Sequence, residues 1–232
     1  MPDPQSAIPV ILATHRFVVV NKPSGLLSVP GIGPEKQDCV ISRVKAMFPS
    51  ATGPMMVHRL DMDTSGVLVV GLDPDSQKNL SAQFEARTVG KQYLALLESA
   101  PQVPDSGTIS LPLRLDVERR PYQIVDFAFG REAVTHYAIL SRSPGLCRIA
   151  FTPVTGRTHQ LRVHAATPPS AFSDNALRTH HHSAGGLGAP IQGDPLYGTA
   201  PKTTRLMLHA SKLSLRDPST GEHITCDAPV PF

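Results

Sequence analysis

His58-Arg59-Leu60-Asp61-Met62-Asp63-Thr64-Ser65-Gly66 runs straight into Val67-Leu68-Val69-Val70, so two carboxylates, an arginine and a histidine stand immediately ahead of an unbroken apolar run. The apolar run reads as a buried strand. Polar residues crowded at a strand end are where sites sit on a rigid scaffold. Alternation continued back through the polar part would project Arg59 and Asp61 to one face and Leu60 to the other. A guanidinium beside Asp61 would keep the acid ionised, fit to act as nucleophile or base and poor as an acid. The same residues also fit a structural salt bridge in a turn.

Outward from this stretch, short extended segments alternate with turns. Phe17–Asn21 is a β-branched run closed by Lys22-Pro23-Ser24-Gly25, after which Leu26 and Leu27 resume an extended path. Val40, Ile41, Val44, Met47 and Phe48 recur at helical spacing. Asp73-Pro74 supplies an N-cap and a first-turn proline for a helix to about Thr88, with Gly90 closing it. Tyr93–Leu97, Val134–Leu140, Leu146–Phe151 and Leu206–Leu215 read as strands, and the Pro218-Ser219-Thr220-Gly221 turn predicts a final hairpin. Turns separate these strands more often than helices do, so the expected fold is α+β with a mixed, largely antiparallel sheet. No internal repeat and no domain linker is visible, and residues 1–232 read as a single domain with an N-terminal extension over about 1–14.

A chain of 232 residues buries roughly 70% of its unfolded surface without needing disulfides or metal. Hydrophobic residues at 41%, charged residues at 18% and a mean hydropathy of −0.08 fit a globular chain rather than a disordered or membrane one. No apolar stretch is long enough to span a bilayer, and MPDPQSAIPV has neither the basic nor the apolar part of an export signal. Cys39, Cys147 and Cys226 are too scattered for a disulfide framework or a zinc half-site and are expected to be free thiols in the cytoplasm. A net charge of +3 leaves room for a local basic face without specifying one.

Thr155-Gly156-Arg157-Thr158-His159-Gln160-Leu161-Arg162-Val163-His164 places two arginines and two histidines on what reads as a short helix after a glycine turn. Phosphate contact and a solvated helix face are both open readings. His159 and His164 do not have the i, i+4 spacing of a zinc pair. Gly31-Ile32-Gly33 is too short for a dinucleotide fingerprint and no P-loop pattern occurs, so no nucleotide cofactor is indicated. Gly193-Asp194-Pro195-Leu196-Tyr197-Gly198 reads as a loop whose aspartate bonds the backbone. Tyr93, in Lys91-Gln92-Tyr93, is either a half-buried core aromatic or a ring facing a ligand. Residues 167–188, rich in Pro, Ser and Gly and carrying His180-His181-His182, read as an inserted surface loop rather than a metal site.

HRLDMDTSGVLVV (58–70) closely resembles the signature of the RluA family of pseudouridine synthases, and further elements resemble the family's in order: NKPSGLLSVPG (21–31), KQY (91–93), GRTHQLRVHA (156–165), GDPLYG (193–198) and LMLHA (206–210). The resemblance implies a pseudouridine synthase catalytic fold, a mixed sheet in two subdomains flanked by helices and loops, with no metal and no cofactor. It implies that Asp61 is the catalytic carboxylate, Tyr93 the active-site aromatic, Arg162 the arginine paired with the acid, and Arg59 the side chain that enters the RNA stack as the target base leaves. His58, Arg157 and His159 join Arg59 as expected RNA contacts. The partner implied is RNA, 23S rRNA and/or a tRNA anticodon stem-loop, bound by a monomer without a membrane and without an S4 domain. This assigns to Arg162 the pairing that alternation assigned to Arg59.

The residue types suit the chemistry. An ionised Asp61 has three routes, attack at C1′, removal of a C2′ proton, or addition at C6. An arginine entering the gap left by an extruded base offsets part of the few kcal/mol of unstacking. Two rival readings are an RNA-binding module that keeps the fold without catalysis, and a glycosidase-like hydrolase. The hydrolase needs two opposed carboxylates, and Asp63 lies only two residues from Asp61.

Overall fold

The computed structural model describes residues 7–171, 185–199 and 205–232. It divides into two compact units, one of Met1–Gln92 with His209–Phe232 and one of Tyr93–Leu208. The divisions fall inside two strands, which is why no linker composition marks them. Most of the inserted loop expected over 167–188, including His180, His181 and His182, lies outside the described residues.

In the first unit, β1 (Val10–Ala13), β2 (Phe17–Lys22) and β3 (Ser65–Gly71) lie in that order. β2 and β3 run antiparallel from Phe17 opposite Gly71 to Lys22 opposite Gly66. β3 is buried at every residue, so its sequence shows no alternation. It continues parallel to β10 (Leu208–Arg216), pairing Ser65 with His209 and Gly66 with Ala210. β10 turns through the expected hairpin into β11 (His223–Asp227). α1 (Val40–Met47) is capped by Cys39, whose thiol faces the Ser42 amide while the Ser42 hydroxyl accepts from the Cys39 amide. α2 (Pro74–Glu85) starts as its sequence predicts, with Asp73 accepting from the Ser76 amide. Leu80 and Phe84 of α2 pack on Phe17, Val19, Val67, Val69, Leu213 and Leu215, which fixes the helix against one face of the sheet.

The second unit is an antiparallel sheet in the order β4 (Gly90–Leu97), β9 (Leu146–Pro153), β8 (Val134–Ser143), β5 (Ser106–Ser110). β4 reaches the unit boundary with Gly90–Gln92, and Tyr93 is its first residue inside this unit, opposite Phe151. A separate ribbon, β6 (Leu113–Leu115) with β7 (Gln123–Val125), packs through Leu113 and Val125 on Val163 of α3 (Gln160–Ala166). The core gathers Leu97, Ile109, Leu111, Ile149, Phe151, Leu161, Ile191 and Leu208.

Three sequence expectations need correction. The presumed N-terminal extension contains a strand, since Val10, Leu12 and Ala13 pair with Val20, Val19 and Val18; four residues behind a proline were too few to show a period. α2 ends at Glu85 with Ala86 as its C-cap and Arg87 beyond it in the left-handed conformation at φ 58°, rather than running to about Thr88 and closing at Gly90, which opens β4. Residues 57–63 form no strand, so alternation does not govern where Arg59 and Asp61 point.

Gly66 is the residue on which the β3–β10 pairing turns. Its φ is 114°, and a Cβ there would lie 2.2 Å from the Ala210 carbonyl oxygen. Gly66→Ala is therefore expected to destabilise the protein by about 2–4 kcal/mol, a fall of roughly 5–15 °C in melting temperature measured by calorimetry.

Candidate active site

Asp61 sits on the loop between Leu60 and Thr64, half-buried, with its carbonyl accepting from the Thr64 amide at 3.1 Å. The segment after β2 holds that loop by its backbone. The fully buried Lys22 points its Nζ at the carbonyls of Leu26 (2.7 Å), Met62 (2.8 Å) and Pro23 (3.0 Å). Gly25 donates its amide to the Met62 carbonyl at 2.9 Å, and the Ser24 hydroxyl donates to the Asp63 carbonyl at 2.6 Å. Ser28 bonds Leu60 twice, donating its hydroxyl to the carbonyl at 2.7 Å and accepting from the amide at 3.1 Å. Leu60 is buried under the loop while Arg59 and Met62 are exposed to either side. At the loop's far end, Ser65 and the Nδ1 of His209 are hydrogen-bonded at 2.8 Å. NKPSGLLS, HRLDMDTSG and the final His-Ala of LMLHA are thus one packed arrangement.

His58 is turned inward. Its ring stacks on Phe84 at 4.2 Å and 17°, and its Nε2 accepts from the Val69 amide at 3.3 Å. Burial, helped by the nearby Lys91 charge, pushes its pKa down to about 3, so it is neutral at physiological pH. These contacts pack His58 against Phe84 of α2 and Val69 of β3.

In the second unit, Arg162 on α3 is the largest fully buried side chain among the described residues. It forms a bidentate pair with Asp194, Nε to Oδ2 at 2.8 Å and Nη2 to Oδ1 at 2.6 Å. Asp194 does bond the backbone as its loop reading implied, through the amides of Leu196 and Tyr197, but its engagement of Arg162 was not legible. The Tyr197 ring lies under the guanidinium, 5.3 Å from centroid to Cζ. Its hydroxyl accepts from the Gln123 amide at 2.8 Å and pairs with the Nδ1 of His159 at 2.9 Å.

His159 and Arg157 precede α3 rather than riding on it. His159 is buried in a left-handed conformation at φ 54°, and Arg157 donates its Nε to the Glu132 carbonyl at 2.9 Å. Gln160 ties the turn together, its Oε1 accepting from the Thr155 hydroxyl and the Arg157 amide and its Nε2 donating to Thr135 and the Val134 carbonyl. His164 lies below, with its Nε2 on the Leu111 carbonyl and its Nδ1 on the Thr135 hydroxyl. A carbonyl can only accept, so Nε2 carries the proton and Thr135 donates to Nδ1. Tyr93 is half-buried and packs against the core of this unit. Asp61 therefore belongs to the first unit, and Tyr93 and Arg162 to the second.

Residues 16–167 match the RNA pseudouridylate synthase family, a class of RNA-modifying enzymes. The chain belongs to that family and is an RNA pseudouridine synthase of the RluA type. The dual-specificity RNA pseudouridine synthase RluA of Yersinia pestis is 40% identical over 225 residues, 94% of this chain and 98% of that one. The protein of the same name from Haemophilus influenzae is 38% identical over 235 residues, 100% and 97% of the two chains. Among solved structures, human RNA pseudouridylate synthase domain containing 1 superposes with a TM-score of 0.72 at 28% identity, covering 100% of this chain and 87% of that one.

Sequence reading missed Lys22 and Ser28 as the framework of the Asp61 loop, and Asp194 and Tyr197 as the partners of Arg162. Each lies inside a motif that carried the family resemblance, yet a lysine or serine in a turn looks solvated until the tertiary fold closes over it.

Two expectations follow from the framework. Lys22→Met leaves the Leu26 and Pro23 carbonyls without this donor, and should lower stability by about 2–4 kcal/mol in urea titration and slow pseudouridine formation at least about tenfold. Burial holds the pKa of His164 down at about 4 against a usual 6.5. The unfolded chain takes up this proton first, so stability complete above pH 6.5 is lost as the pH falls toward 4. His164 contributes up to about 3 kcal/mol of that loss, and unfolding free energies measured between pH 7 and pH 4 should vary less steeply in His164→Gln.

Proposed function

We propose that this enzyme isomerises uridine in ribosomal RNA of the large subunit and in tRNA stem-loops, with Asp61, Tyr93 and Arg162 as its catalytic set. The observation that carries the reading is the treatment of the Asp61 loop: Lys22, Ser24, Gly25 and Ser28 satisfy the backbone at Leu60, Met62 and Asp63. A loop held in this way carries its carboxylate in a preorganised position, so little reorganisation is needed when the substrate arrives. The naming of both bacterial relatives for dual specificity supports a substrate range that includes rRNA and tRNA.

In the reaction the N1–C1′ bond breaks, the uracil turns, and a C5–C1′ bond forms while C5 loses its proton and N1 gains one. Asp61 opens the sequence by attack at C1′, by removing the C2′ proton or by adding to C6. Arg162 supports the carboxylate. Tyr93 stacks on the uracil and stands by for the C5 proton. Arg59, exposed beside the loop, enters the stack when the base leaves, and Arg157 and His159 complete the RNA contacts. The enzyme works as a monomer in the cytoplasm, a compartment that suits the free thiols of Cys39, Cys147 and Cys226.

C5-tritiated uridine in 23S rRNA and tRNA transcripts tests this reading. Wild type is expected to release tritium from both RNAs, and Asp61→Ala to release none while still binding them. Release from one RNA only would restrict the substrate range, and release by Asp61→Ala would remove Asp61 from the catalytic set.

A further inference from the structure

We infer that Asp194 is a positioning residue for catalysis, holding the Arg162 guanidinium in one fixed orientation; the inference rests on the reading of Arg162 as part of the catalytic set. The pair is enclosed, with side-chain exposures of 2% for Arg162 and 0% for Asp194. Asp194 is itself fixed before any RNA binds. Its Oδ1 takes the Leu196 amide at 2.9 Å and the Tyr197 amide at 3.1 Å as well as Arg162 Nη2, and its own amide donates to the Ile191 carbonyl at 3.1 Å. An acceptor with this many donors in a dry setting is not available as a base or nucleophile; its remaining use is to orient.

The geometry says which part of Arg162 is held. The Nε and Nη2 edge is committed to Asp194, and the Tyr197 ring lies against the guanidinium face. An arginine has several rotatable bonds and keeps considerable rotamer freedom unless its fork is matched by a planar carboxylate.

Single-turnover tritium release and RNA binding, measured on wild type, Asp194→Asn, Arg162→Gln and the double variant, test the inference. Asp194→Asn should slow release about 100-fold while RNA affinity stays within about twofold. In the Arg162→Gln background the same change should cost no more than about twofold further, because the two residues act as one unit. A rate for Asp194→Asn within about threefold of wild type, or losses that multiply in the double variant, would overturn the inference. Should Asp194→Asn fail to fold, Asp194→Glu keeps the charge and shifts the carboxylate by one methylene; slowed release with RNA binding retained supports the inference, and a wild-type rate overturns it. Wild-type release by Arg162→Gln would instead overturn the catalytic reading of Arg162, and the inference with it, whereas a slow Arg162→Gln beside a fast Asp194→Asn overturns the inference alone.

Discussion

The Nζ of Lys22 sits fully buried against the carbonyls of Pro23, Leu26 and Met62, and the first unit is arranged around that contact. Burying an ammonium costs several kcal/mol unless its donors are matched, so the turn after β2 and the loop before β3 have to close on it together. Once they do, Ser28 reaches both backbone groups of Leu60, and the loop carrying Asp61 has little freedom left. Gly66 then lets β3 pass close to Ala210 of β10. Loop, turn and strand are therefore mutually dependent, and a change in one is felt at the carboxylate.

The second unit solves a related problem by other means. Arg162, His164 and Gln160 on one short helix are all buried, and each is matched by partners supplied from distant parts of the chain: Asp194 and Tyr197 for the arginine, Thr135 and Leu111 for the histidine, Thr155, Val134 and Thr135 for the glutamine. A network of this kind is rigid when every member is satisfied and costly when one is lost. For a reaction in which the glycosidic bond is broken and remade without capture by water, rigid and dehydrated polar groups are the needed property.

What could be read along the chain depended on whether the signal was local. The helix opening at Asp73-Pro74 is set by a cap and a proline within four residues, and it forms where it reads. β3 was legible because seven consecutive buried residues leave an apolar run. β6 and β7, at three residues each, are too short for any period, and β5 reads as polar because it lies at the end of its sheet's strand order. The alternation argument at Arg59 and Asp61 failed because that segment is held by hydrogen bonds to a turn some 30–40 residues away in sequence rather than by a ladder.

By itself the sequence determined the class of fold and the family, because those rest on patterns and motifs contiguous along the chain: HRLDMDTSG before an apolar strand, and the ordered elements from NKPSGLLSVPG to LMLHA. It left the partners of the charged residues undecided. Only the tertiary structure decided that His58 stacks on Phe84, that Lys22 is buried beneath the Asp61 loop and that Arg162 is held by Asp194. The reason is physical. Burial and pairing of a polar side chain are set by groups brought together from separate stretches of chain, 32 residues apart for Arg162 and Asp194 and 40 for Lys22 and Met62, and nothing local to either stretch encodes the meeting.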